Sequence, residues 1–296
     1  MKIYVRYLLF RLLIFACNIL PQRFCYCIAL RIADLNFYVL DKQGRKAVED
    51  NLRIVLPRAT DRRIRKEARW TFRNFAKYLT EFFRFRHYDM NFFDTNVAVF
   101  GMEHIDNALK LGKGCVCSSA HLANWELGAA CASIVGKKQL TVSVAMHRYK
   151  KINDLFMRER RAMGLTVTDM ARGAARTMLR ALQRNEVVGV MGDRDPTEQG
   201  VTVQFFGRPC RFPQGPARLA VSTGAPLIPA FCLRRTNDSF TLIFLPPVPA
   251  PIEGTRDEKV RQMTQSFADI IASYIEMYPD QWAVFYPFWE GNWQPE

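Results

Sequence analysis

The sequence predicts an α/β fold: a largely parallel central sheet flanked by helices, preceded by an apolar, basic, helical N-terminal extension. Three observations carry this expectation. Short strand-like runs alternate with helical stretches from about residue 97 onward, only helical patterns precede that point, and 49% of the 296 residues are hydrophobic. That apolar content is ample for a core at this length and rules out a disordered or fibrous chain.

The extension comes first. Tyr7 to Phe15 is an apolar run ahead of Pro21, and a second runs from Phe24 to Leu40, both interrupted by arginines (Arg6, Arg11, Arg23, Arg31). The longest uncharged stretch, Leu12 to Gln22, is far shorter than the roughly 20 residues a spanning helix needs. Apolar helices edged with arginine can instead lie in the membrane interface, guanidinium groups reaching anionic headgroups while Leu and Phe sink; an ordinary packed helix pair is the other reading. No small-residue cleavage site follows, so the segment is not read as a removed signal peptide. Residues 1–87 hold 19 basic and 7 acidic side chains, a net of +12 out of the chain's +14. Such a charge suits nucleic acid, an anionic membrane surface or an acidic partner, and its interleaving with Leu and Phe favours lipid.

Residues 60–86 then read as one amphipathic helix, with Ala68, Phe72, Phe75, Leu79 and Phe82 or Phe83 on one side and six basic residues between Arg62 and Arg73. Beyond it, strands are expected at 97–100, 115–118, 141–145, 187–191, 201–206, 226–232 and 240–245. Helices are expected near 103–111, 125–135, 150–163, 172–184, 214–223 and 256–278. No Gly/Ser tract or repeat divides the chain, so residues 1–40 read as membrane-associating helices and 41–296 as one domain. The eight cysteines show no CxxC pair or Cys/His cluster, which argues against zinc and a disulfide framework and for a reduced, cytoplasm-facing protein.

The residues that carry chemistry follow the strand at 115–118, in SSAHLANWELGAA. His121 sits past a strand end, Asn124 is placed to cap a helix, and Glu126 falls in that helix's first turn. On one regular helix the two side chains would diverge by about 140°. A loop ahead of the helix removes that obstacle and lets His121 fold back onto Glu126, whose charge the helix dipole favours. A carboxylate on one ring nitrogen fixes the tautomer and raises the basicity of the other, as a base for a hydroxyl requires. The spacing alone is common, but its place at the carboxyl end of a sheet strand strengthens the reading.

HLANWE, GVMGDRDPTEQGVTVQFFGRPCRFPQGPARLAVSTGAPLIPAF and the closing YPDQWAVFYPFW resemble the bacterial lipid A biosynthesis acyltransferases, late Kdo-dependent enzymes of the lysophospholipid acyltransferase superfamily. They are similar too to the related phosphatidylinositol mannoside acyltransferases. The resemblance covers most of the chain and is not specific to one acceptor. It implies transfer of a fatty acyl group from an acyl carrier protein or coenzyme A thioester to a hydroxyl of a glycolipid, a lipid A precursor, at the cytoplasmic face of the bacterial inner membrane. By position it makes His121 the general base and Glu126 its acidic partner in the HX4D/E motif, with no bound cofactor and no metal. An activated thioester needs a base and oxyanion donors only, so Cys115 and Cys117 are not required as nucleophiles.

Arg160 resembles the family's arginine four residues before a glycine and is expected to bind the acyl donor or a phosphate-bearing acceptor, a solvated helix face in a basic stretch being the other reading. Asp193 and Asp195 flank Arg194 after the 187–191 strand and are expected to orient the acceptor site or the catalytic loop rather than a metal, a structural ion-pair cluster being the other reading. Arg172, Arg176, Arg180 and Arg184 form a stripe that suits either acyl carrier protein and membrane phosphates or plain solvation. Trp282, Phe285, Tyr286, Phe288, Trp289 and Trp293 suit either the membrane interface or core closure, and His87, His104 and His147 read as structural. The rival from another class is a non-catalytic lipid- or nucleic-acid-binding protein. No nucleic-acid-binding module is evident, and both residues of the HX4E motif are present.

Overall fold

The computed structural model describes residues 2–147, 149–170, 173–195 and 199–290. Eleven helices and nine strands occur among them: α1 (Lys2–Ile19), α2 (Gln22–Leu35), a π-helical turn (Asn36–Leu40), α3 (Lys42–Val55), α4 (Asp61–Phe82), α5 (Met90–Asn96), β1 (Val97–Phe100), α6 (Met102–Lys110), β2 (Cys115–Ser119), α7 (Trp125–Ile134), β3 (Leu140–Val144), α8 (Lys150–Ala162), β4 (Thr166–Asp169), α9 (Ala174–Gln183), β5 (Val187–Met191), β6 (Val201–Phe205), β7 (Arg208–Phe212), α10 (Gly215–Thr223), β8 (Leu227–Arg234), β9 (Phe240–Phe244) and α11 (Arg256–Met277).

Seven strands form the central sheet in the order β1-β9-β8-β2-β5-β3-β4, parallel throughout except for the β8–β9 pair. Strands buried on both faces read as continuous apolar runs, as VVGVM of β5 does. Alternate residues feed two cores: Val116, Val188 and Phe231 join Phe267 and Ile271 of α11 on one face, whereas Cys115, Val187 and Leu242 join Leu127 of α7 and Phe156 of α8 on the other.

Two strand expectations need correction. Residues 201–206 do not enter the main sheet; β6 pairs antiparallel with β7 in a separate hairpin, turning through Phe206 and Gly207 at φ 51° and 71°, the left-handed pair a tight hairpin turn demands. Neither β7 nor the edge strand β4 was anticipated.

The N-terminal helices turn part of their apolar surface inward. Ile14 and Cys17 of α1 and Cys25 of α2 lie in the same core as Phe82 and Phe156. The opposite sides are bare: Leu8, Leu12, Phe15 and Ile19 form one exposed stripe at helical spacing, and Phe24, Ile28, Ile32 and Leu35 a second. Arg11, Arg23 and Arg31 are exposed beside them. No helix among the described residues is long and apolar enough to cross a membrane.

Helix α4 is basic but only its first half is solvated. Further along, Arg69 and Arg73 both fork onto Asp34 of α2, each at 2.8 and 2.7 Å, and Lys77 bonds Asp238 at 2.6 and 2.8 Å. The arginines hold the Asp34 carboxyl well below its ordinary range. Of the expected arginine stripe, Arg176, Arg180 and Arg184 are exposed and Arg172 lies outside the described residues. The C-terminal aromatics close the core: Trp282 and Phe288 are buried, and Trp289 donates to the Phe205 carbonyl at 3.2 Å. Trp293 lies outside the described residues. All eight cysteines are free thiols.

Candidate active site

The chain leaves β2 at Ser119 and reaches α7 through Ala120–Asn124. Ala123 holds φ 56°, a left-handed conformation that costs an alanine about 1 kcal/mol or more. The C-terminal segment and β8 clamp it there. Ala123 N donates to the Gln281 carbonyl at 2.8 Å, Ala283 N to the His121 carbonyl at 2.9 Å, and Asn124 N to the Cys232 carbonyl at 3.1 Å.

Asn124 caps α7 by accepting from Leu127 N at 2.9 Å, as the sequence suggests. Its amide also donates to Glu81 Oε2 at 2.5 Å. Glu81 is fully buried on α4, where it receives both terminal nitrogens of Arg234 at 2.5 and 2.8 Å and the Tyr26 hydroxyl of α2. A buried carboxylate matched in this way by a bidentate cation and two further donors satisfies the condition for burying charge.

Because β2 and β5 are neighbours with Ser119 opposite Met191, the residues that follow β5 lie beside the His121 loop. Gly192 N donates to the Ser119 carbonyl at 2.8 Å, bringing Asp193 to His121. Asp193 Oδ1 lies 2.7 Å from His121 Nδ1 and Oδ2 accepts from His121 N at 2.9 Å. The ring is thereby held as the Nδ1–H tautomer, which leaves Nε2 with the lone pair. Burial, then the nearby Arg194 cation, hold His121 below its ordinary pKa against the upward pull of Asp193. Asp193 stays below the ordinary carboxylate range: burial opposes this, but the His121 ring and backbone N–H and Arg194 outweigh it.

This corrects the expected pairing of His121 with Glu126. Glu126 turns instead to α8, where its Oε1 accepts from Arg160 Nε at 2.9 Å and Nη2 at 2.6 Å. Both sites are filled: the two donors on His121 are taken by a carboxylate arriving from the adjacent strand, and the Glu126 side chain meets a guanidinium. Asp193, expected to orient the acceptor site or the catalytic loop, is fully buried and holds His121 in that loop. Asp195 does not share in this contact; its carboxylate accepts from Gly200 N. Arg160 packs over the rings of Phe82 and Phe156, at 5.5 and 5.9 Å.

The site also contains residues that sequence reasoning passed over. Arg194 donates to the Ala283 carbonyl and lies 5.6 Å from the Tyr286 ring, while its buried Nε has no hydrogen-bond partner among the described residues. The one available signal was its place between two aspartates. Tyr78 packs against Trp125 with ring centroids 4.3 Å apart and the planes tilted by 32°, and burial drives its hydroxyl pKa well up.

His121, Arg160 and Arg194 share the wall of one cavity of about 950 Å³. Its floor is the sheet face bearing Cys117, Val142 and Gly189, and its roof is α7 with small residues such as Gly128, Ala129 and Ala132. Phe10 of α1 and Phe75 of α4 also reach it. The arrangement joins a neutral imidazole with an oriented Nε2, two guanidinium groups and a deep apolar hollow. Among the described residues no three His, Cys, Asp or Glu side chains gather as metal ligands.

The sequence is similar to those of several known proteins. Phosphatidylinositol mannoside acyltransferases from two strains of Mycobacterium tuberculosis are each 31% identical over 194 residues, 64% of this chain and 58% of the relative. The phosphatidylinositol mannoside acyltransferase of Mycolicibacterium smegmatis is 29% identical over 226 residues, covering 75% of this chain and 72% of the relative. The chain thus matches little more than half the length of the mycobacterial tuberculosis relatives. The profile of the bacterial lipid A biosynthesis acyltransferases, by contrast, matches residues 1–290, from the apolar first helix through the His121 loop to the aromatic C-terminus, and this chain belongs to that family.

Proposed function

We propose that the protein transfers a fatty acyl chain from an acyl carrier protein or coenzyme A thioester to a hydroxyl of a membrane glycolipid, with a lipid A precursor as acceptor. The observation that carries this reading is the His121–Asp193 pair on the wall of an apolar cavity of about 950 Å³. Asp193 orients the ring, and His121 Nε2 takes the proton of the acceptor hydroxyl as its oxygen attacks the thioester carbonyl. The tetrahedral intermediate collapses, the carbon–sulfur bond breaks, and the departing thiolate takes the proton from His121. Arg160, held by Glu126, and Arg194 supply positive charge for the oxyanion or for an acidic group of the donor or acceptor. No covalent enzyme intermediate or bound cofactor is needed.

The exposed stripes of α1 and α2, flanked by arginines, support docking on an anionic membrane surface, the cytoplasmic face of the inner membrane. An inositol mannoside or other glycolipid acceptor is the second reading, favoured by the names of the mycobacterial relatives.

The test is mass spectrometry of membrane lipids from a host lacking its own late lipid A acyltransferases, expressing wild type or His121→Ala. A gain of one acyl chain on lipid A with wild type alone is expected. A His121-dependent gain on a different lipid replaces the acceptor, and no gain on any lipid overturns the transferase reading.

A further inference from the structure

The floor of the cavity has a notch. Three adjacent strands supply it in rungs set by their register: Cys117, Gly189 and Val142 face one another across β2, β5 and β3, and one rung deeper Cys115, Val187 and Leu140 do the same. Gly189 is the one residue of the VVGVM strand without a side chain, and glycine in the interior of a strand weakens it unless something must approach the backbone closely. Gly189, Val142, Val187 and Leu140 all line the cavity, with Ala132 of α7 above them. A Cβ built on Gly189 would lie 3.0 Å from Val142 Cγ1 and 3.5 Å from Leu140 Cδ1. A methyl group therefore fits if Val142 gives slightly, whereas a branched side chain must project into the hollow.

We propose that Gly189 sets the length of acyl chain the protein accepts: the missing side chain lets the hydrocarbon tail pass from the His121 end into the inner part of the cavity, which Val187, Leu140 and Ala132 bound. From Met191, also on the cavity wall, to Val187 the strand runs four residues, roughly 13 Å at the usual rise. Gly189 stands halfway along it. The inference rests on the acyltransferase reading, so the experiment separates the two.

Wild type, Gly189→Ala, Gly189→Val and Val187→Ala are compared in two assays. The first is transfer from saturated acyl–acyl carrier proteins of graded chain length; the second is displacement of a fluorescent fatty acid by saturated fatty acids of the same lengths. Each methylene kept out of the cavity should weaken use of a donor about fourfold. In Gly189→Val the long-to-short ratio of kcat/KM should accordingly fall by at least an order of magnitude, less in Gly189→Ala, and Val187→Ala should move the preference toward longer chains. The displacement series should shift in parallel. Ratios that stay at the wild-type value in the glycine variants, or a loss equal at every length, overturn the proposal. A shift in displacement without transfer by wild type keeps Gly189 as the length-setting residue and sinks the acyltransferase reading instead. No displacement and no transfer by wild type sinks both.

Discussion

Replacing Asp193 by Asn keeps the size of the side chain and removes one thing, the capacity to accept from both donors of His121. Asp193 takes the ring Nδ1 at 2.7 Å and the backbone N–H at 2.9 Å, one on each oxygen, in a fully buried position. An asparagine has a single acceptor oxygen. If the oxygen stays on the backbone N–H, the amide NH2 faces Nδ1 and donates to it, the ring adopts the Nε2–H tautomer, and the nitrogen facing the acceptor has no lone pair. The loss includes a charge-assisted hydrogen bond of about 1.5–3 kcal/mol and most of a general-base contribution of about 10²–10⁴; kcat should fall about 10³- to 10⁴-fold, the upper figure being the one seen when a triad aspartate becomes asparagine. KM for the acyl donor should change little, because Asp193 does not line the acyl cavity. The pH profile adds a second readout. With His121 as the proposed neutral base and burial holding its pKa below the ordinary value, wild-type activity should rise with pH through a midpoint below about 6.5. Without the carboxylate that pulls His121 upward, that limb should move to still lower pH. Initial rates across pH for both proteins, with thermal melts to establish that the variant is folded, decide the matter. A variant within a few-fold of wild type at the plateau would refute the assignment of Asp193 as the residue that orients the base.

Arg160→Lys removes the fork onto Glu126 while keeping the charge, and should lower kcat/KM about 10- to 100-fold; Glu126→Gln keeps an acceptor oxygen but removes the charge opposite Arg160 and should lower it as well, and non-additive losses in the double variant would show that the two act as one unit. Glu81→Gln leaves Arg234 buried without its carboxylate, at a cost of about 3 kcal/mol or more; scanning calorimetry should find Tm lowered by roughly 5 °C or more, and an unchanged Tm would rule out this network as a stabilising one. Phe15 and Phe24 are 65% and 63% exposed, so Phe15→Asp with Phe24→Asp forfeits the burial of two rings, about 2 kcal/mol each, and flotation with anionic vesicles should weaken by more than two orders of magnitude. Flotation equal to wild type would move the membrane contact elsewhere. Folding stability should fall as pH drops below about 6.5, where the unfolded chain protonates His121 and the folded chain resists it; Asp193 adds its own loss only at pH below the ordinary Asp range, as its lowered folded pKa is passed. Urea midpoints measured between neutral and mildly acid pH should slope less in His121→Ala.

The local features were legible in the sequence and the pairings were not. Asn124 announced the start of α7, and the apolar runs announced the strands because a sheet covered on both faces buries every residue of its central strands. The hairpin was missed in its second half because Arg208, Pro209 and Arg211 read as loop, although Cys210 and Phe212 alternate inward between them. The partner of His121 was out of reach for a different reason. Glu126 is five residues away and Asp193 is 72, and only the adjacency of β2 and β5, a product of strand order, makes the distant carboxylate the near one. Spacing singled out His121 and Glu126, the resemblance added Arg160, and neither could say which carboxylate faces His121.

The Tyr26 hydroxyl on Glu81 has a practical consequence for any shortened form of the protein. Glu81 is the same carboxylate that holds Asn124, three residues after His121, and Phe10 supplies part of the cavity wall. Removing residues 1–40 would therefore strip a donor from the support beneath the His121 loop and open one side of the cavity. Inactivity of such a truncation would report a damaged foundation as much as the loss of the proposed membrane contact, and surface substitutions on the outer stripes are the way to test that contact while leaving the foundation in place.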